Sequence, residues 1–99
     1  MHIIKLQFAA RKSDAPQWLA AHNEWLDKGF SDGAFLAAGS LLDGSGGCIL
    51  AAPATRDLVE ARVAQDPFVV HGVVTPEITS FTAGRTQPAL ATILTQATA

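Results

Sequence analysis

Within the first 28 residues the hydrophobic pattern changes its period, and that change restricts the chain to folds that lay helices on a sheet. In His2–Phe8, Ile4, Leu6 and Phe8 share one face while Ile3, Lys5 and Gln7 share the other, which is the period-two signature of a half-buried strand. Ser13 and Asp14 then offer capping oxygens, and Pro16 sits in the first turn, where a missing N–H costs nothing. Trp18, Leu19, His22, Trp25 and Leu26 recur at helical spacing, so a helix is expected over about 15–28, stopped by Gly29.

The alternation continues. Ser31-Asp32-Gly33 turns into an apolar strand over about 34–42, and Asp43-Gly44-Ser45-Gly46-Gly47 leads into a third over about 48–52, together a hairpin. After Pro53, Thr55 can cap a second helix carried by Leu58, Val59, Arg62 and Val63. That helix is expected to finish near Asp66, because Pro67 disfavours helical geometry in the residue before it. A fourth strand follows over about 69–81, with Pro76 marking a bulge or an edge position. The order βαββαβ predicts an α+β domain of ferredoxin-like topology: a four-stranded antiparallel sheet with two helices on one face. This domain is expected over about residues 1–83, and residues 84–99 form a C-terminal extension, either a short helix near Pro88–Leu94 or a flexible tail. In the second strand Leu36, Ala38 and Leu42 point one way and Phe35, Ala37 and Leu41 the other. Neither face is made for water, and two helices can cover only one, so a homodimer is expected.

The chain of 99 residues carries a formal net charge of −2, and its seven basic residues are scattered. Nucleic acid needs a concentrated positive footprint and is not an expected partner. No apolar run approaches the roughly 20 residues that span a bilayer, and the first residues lack the basic-then-apolar layout of a signal peptide, so no membrane association and a cytoplasmic location are expected. Cys48 is the only cysteine. It reads as a small buried core residue rather than a nucleophile.

Two residues stand out chemically. His22 lies on the apolar stripe of the first helix, where an imidazole needs a partner or a cavity; it is either a satisfied core histidine or a working one. Asp66, at the expected end of the second helix, opposes the helix dipole, a cost of roughly 0.3–1 kcal/mol that some other interaction should offset. The alternative is a solvated Asp shaping a turn. In a ferredoxin-like arrangement the two can meet beside the central strands. The carboxylate would then orient the imidazole as a dyad and leave the other ring nitrogen free for proton transfer. Ser40, Trp18 and Phe68 are candidate pocket-lining residues, together with Trp25, although aromatic residues at helical spacing are commonly plain core. Arg11 and Lys12 follow the first strand, and Arg11 is a candidate to steer an anionic ligand. His71 with His22 and Asp66 lacks any short metal-ligand motif, so no metal is expected.

His22, Ala38-Gly39-Ser40-Leu41, the glycine hairpin, and Asp66-Pro67-Phe68 followed by Gly72 together resemble the YciI-like (YCII-related) family over about residues 1–83. The resemblance implies a dimeric α/β barrel of ferredoxin-like subunits and a pocket in which His22 and Asp66 are an acid–base pair. It implies a cofactor-independent enzyme, eliminating or isomerising a small aromatic or enol-like molecule in a dehydrochlorinase-like way. The alternative is a non-catalytic domain that binds a small ligand or regulates. Ser40 departs from the family, whose members often have Pro there.

Overall fold

The computed structural model describes residues 1–97; the last two positions of the C-terminal extension lie outside the described residues. Strand β1 (His2–Phe8) leads through a 3-10 turn at Lys12–Asp14 into helix α1 (Ala15–Ser31). Strands β2 (Phe35–Ser40) and β3 (Gly46–Ala51) make the hairpin. Helix α2 (Arg56–Val63), the single turn α3 (Pro67–Val70), strand β4 (Val74–Ser80) and helix α4 (Pro88–Ala97) complete the order. The strands are antiparallel in the order β2-β3-β1-β4, so β1 and β3 are central. This is the ferredoxin-like α+β fold expected from the pattern. Pro76 falls on the edge strand, where its missing N–H leaves no central ladder bond unmade.

Ile4 pairs with Ile49 on one side and Ile78 on the other. This row, with Leu6, Phe35, Val59, Val63, Phe68 and Val73, forms the core beneath the helices. Each fully buried side chain of this size contributes about 1.5–3 kcal/mol.

Three boundaries differ from expectation, each for a local reason. Helix α1 runs through Gly29 to Ser31, because Gly29 is the place where the Phe35 ring lies against the helix; a Cβ there would sit 2.1 Å from that ring. The helix stops where Gly33 takes φ 75°, with Gly33 N–H donating to Phe30 O and Ala34 N–H to Gly29 O, the paired bonds of a Schellman ending. In β2 the pairing slips between Phe35 and Ala37. This bulge puts Phe35 and Ala38 on the helix side and reverses the facing expected for an unbroken strand. Finally, the second helix does not reach Asp66. It ends at Val63, and Pro67–Val70, whose last two residues are expected from the sequence to begin the last strand, is a helical turn of its own. The sheet face away from the helices is uncovered in the single chain, with Ile3 39% exposed. Cys48 belongs to that face and is half-buried, not core.

At the hairpin, the Ser45 side chain and its backbone N–H hold the Asp43 carboxyl below its usual range. A depressed carboxyl stabilises the turn above its ordinary range and loses that contribution as pH falls through the lowered value. The close contact of the Phe35 ring with Gly29 yields a sign test. In an exposed helix Gly→Ala gains about 1 kcal/mol. Gly29→Ala is expected instead to lower stability by about 1–3 kcal/mol through collision with Phe35, read as a shift in the urea midpoint.

Candidate functional site

The site begins with three consecutive residues, Asp66-Pro67-Phe68. Pro67 fixes the first helical φ of α3, and Asp66 is its N-cap: Oδ1 accepts the Phe68 N–H at 3.0 Å. Asp66 therefore works with the dipole of the turn it precedes, not against that of the helix before it. The same Oδ1 lies 2.7 Å from His22 Nδ1. Asp66 is fully buried, and its Oδ2 has no hydrogen-bond partner among the described residues.

An oxygen that already accepts a backbone N–H is an acceptor for the ring too, so Nδ1 donates, and in the neutral imidazole Nε2 carries the free lone pair. The His22 ring stacks on Phe68 at 4.1 Å and 7° between planes. Its side chain is 12% exposed, and Nε2 has no partner among the described residues. The other two histidines differ. His2 is buried with both nitrogens engaged: Nε2 donates to Ala54 O at 2.9 Å, and Nδ1 accepts from Ser80 Oγ at 2.7 Å. His71 stacks on Trp18 at 3.5 Å. His22 alone combines a buried acidic partner with an open nitrogen.

His22 lines a cleft of about 380 Å³ between α1 and the sheet. That is within the range of about 300–1,000 Å³ usual for small-molecule sites. Leu19, Asn23 and Leu26 share the α1 wall; Ser40, Gly47 and Ile49 belong to the strands; Phe68 sits beside His22. Gly47 pairs with Leu6 and Ser40 and has no side chain to fill the space between them. Of the residues expected to touch a ligand, Ser40 and Phe68 line this cleft. Trp18 and Arg11 do not: they line a separate groove with His71 and Gly72, where Arg11 lies 3.6 Å from Asp14. The 3-10 turn after β1 directs them there, and Asp14 makes no cap bond to α1. Trp25 is core, donating from Nε1 to Arg62 O at 3.0 Å and meeting Phe35 edge to face. Asn23 was not singled out from the sequence. As the neighbour of His22, one step off the apolar stripe, it had a signal in its position alone.

The YCII-related domain pattern matches residues 5–82. The chain belongs to the YCII-related domain family. Among solved structures, this YCII-related chain is similar to the 5-chloro-2-hydroxyhydroquinone dehydrochlorinase (TftG) of Burkholderia phenoliruptrix AC1100, in complex with 2,5-dihydroxybenzoquinone. The TM-score is 0.68 at 18% identity, covering 85% of this chain and 96% of that one. At that identity the likeness is one of fold. No curated protein matches the chain by sequence. Helix α4 lies beyond the family match. No helix among the described residues is long and apolar enough to cross a membrane.

The shared oxygen of Asp66 makes a separable prediction. Asp66→Ala removes the cap of α3 and the partner of His22, and is expected to cost about 2–4 kcal/mol in a urea titration. Asp66→Asn keeps an acceptor oxygen and should cost about half as much or less.

Proposed function

We propose that this protein is a cofactor-independent enzyme in which His22 moves a proton on a small hydroxylated aromatic or enol-like molecule, with Asp66 as its orienting partner. One observation carries the reading: a ring held at Nδ1 by a buried acid, 2.7 Å away, with its other nitrogen unpartnered in a small-molecule-sized cleft. In this reading Nε2 takes a proton from a substrate O–H or C–H. The electron pair left behind forms the new double bond as the leaving anion departs, and the imidazolium returns its proton to that anion or to solvent. Asp66 holds the donor tautomer and offsets the positive charge that develops on the ring. Phe68 fixes the plane of the imidazole by stacking. The similarity to a dehydrochlorinase of a hydroxylated ring supports elimination as the reaction type.

The same reading has two copies packed through the uncovered sheet face, where Ile3 and Leu50 lie on adjacent strands and Ala37 beside them is exposed. Sedimentation at micromolar concentration is expected to give a dimer, and a monomer there would remove this part of the proposal.

The catalytic part is tested with 5-chloro-2-hydroxyhydroquinone as the first probe and chloride release as the readout, followed by other hydroxylated rings. His22→Ala is expected to lower kcat by about 10²–10⁴-fold while the urea midpoint stays within about 1 kcal/mol of wild type. Full activity in the folded variant would show that the chemistry does not run through His22 and would overturn its catalytic role.

A further inference from the structure

Among the described residues, those that line the cleft beside His22 include no lysine, arginine, aspartate or glutamate. Asp66, the acid beside His22 Nδ1, is fully buried and does not itself line the cleft. A neutral imidazole beside a carboxylate carries a net charge of −1, and an imidazolium beside it carries zero. In neither state does the pair offer net positive charge to a ligand. An anion entering such a cleft gives up water and gains no cation in exchange, which is costly in a partly apolar site.

Neither of the two basic residues that follow β1 lines the cleft. Lys12 Nζ sits 5.0 Å over the ring of Phe8, a residue of the cleft rim. Arg11, the side chain expected from the sequence to steer an anion, lies in the other groove near Asp14. What the cleft does offer is apolar wall for a ring and two neutral polar side chains. Asn23 comes from α1 and Ser40 from β2, and neither has a side-chain hydrogen-bond partner among the described residues.

We propose that this cleft selects uncharged, ring-bearing ligands and rejects carboxylates and phosphates, with Asn23 and Ser40 supplying neutral hydrogen bonds to hydroxyl or carbonyl oxygens on the ring. The proposal rests on the reading of the cleft as a small-molecule site, but not on any turnover there. Asn23 thereby becomes a specificity-determining residue, and the missing cation becomes a selecting feature, since discrimination follows as much from what a site withholds as from what it offers.

The test compares two probes that share a ring and two hydroxyls and differ by one carboxylate: hydroquinone and 2,5-dihydroxybenzoate. Each is titrated into the full chain, with amide and side-chain NMR shifts as the readout. Hydroquinone is expected to move the signals of His22, Asn23 and Ser40, and the benzoate to bind at least about ten-fold more weakly. Asn23→Lys places a cation on the helix wall and should close or reverse that gap. Lys12→Ala should leave it unchanged. Equal or tighter binding of the benzoate by the wild-type chain overturns the proposal, as does a preference that vanishes with Lys12, or hydroquinone shifts confined to other surfaces. Because these are binding measurements, they separate from the catalytic reading. Loss of turnover in His22→Ala with no charge preference sinks this inference alone, while an intact preference with activity unaffected by His22→Ala sinks only the catalysis.

Discussion

One oxygen atom ties the local and the global structure together. Asp66 Oδ1 accepts the Phe68 N–H, which starts the turn α3, and meets His22 Nδ1, which comes from the middle of α1, 44 residues earlier in the chain. The first bond requires only neighbouring residues. The second requires that two helical segments pack side by side over the same sheet. Because both converge on one buried atom, the position of the ring, the start of α3 and the approach of α1 are set jointly. Phe68 adds a third constraint by lying flat against the imidazole it helps to locate. A buried polar group is costly unless it is matched. A carboxyl with one oxygen doubly used and the other without a partner among the described residues is therefore a costly feature placed beside the cleft.

The cleft beside the imidazole lies between α1 and the sheet. Gly47 contributes no side chain between Leu6 and Ser40. Beside the bulge, the Phe35 ring lies against Trp25 and Gly29. A second cavity, of about 430 Å³, lies beside Phe35, Trp25 and Val59, apart from the cleft next to the imidazole.

Much of this was legible in the residues themselves. The alternation in His2–Phe8, the glycine hairpin and the amphipathic spacing of Trp18, His22 and Trp25 lead directly to the topology. The pairing of His22 with Asp66 followed from placing both helices on one face. The reading failed where short-range signals competed. Gly29 was read as a helix stop because an exposed glycine would be one, but here its bareness serves a ring that arrives from β2. The segment Val69-Val70 was read as the start of a strand, since β-branched residues favour strands. The Asp-Pro cap before it and the positive φ of Gly72 after it carry the helical turn instead. Trp18 and Arg11 were placed near the site by chain proximity, yet the 3-10 turn after β1 carries them to a different groove.

By itself the sequence determined the order of elements, the antiparallel sheet with helices on one face, and the two polar residues whose positions in apolar or terminal contexts demand an explanation. Those properties are written in local periodicity and in residue chemistry, and any stretch of chain carries them wherever it folds. Only the tertiary structure decided which oxygen the imidazole meets, which of its nitrogens stays open, and that the space before it is bordered by neutral groups alone. These depend on distances between segments far apart in the chain, and no periodicity encodes such distances. They are settled by side-chain volumes meeting across the core, where one bulge or one absent Cβ changes which side chains meet.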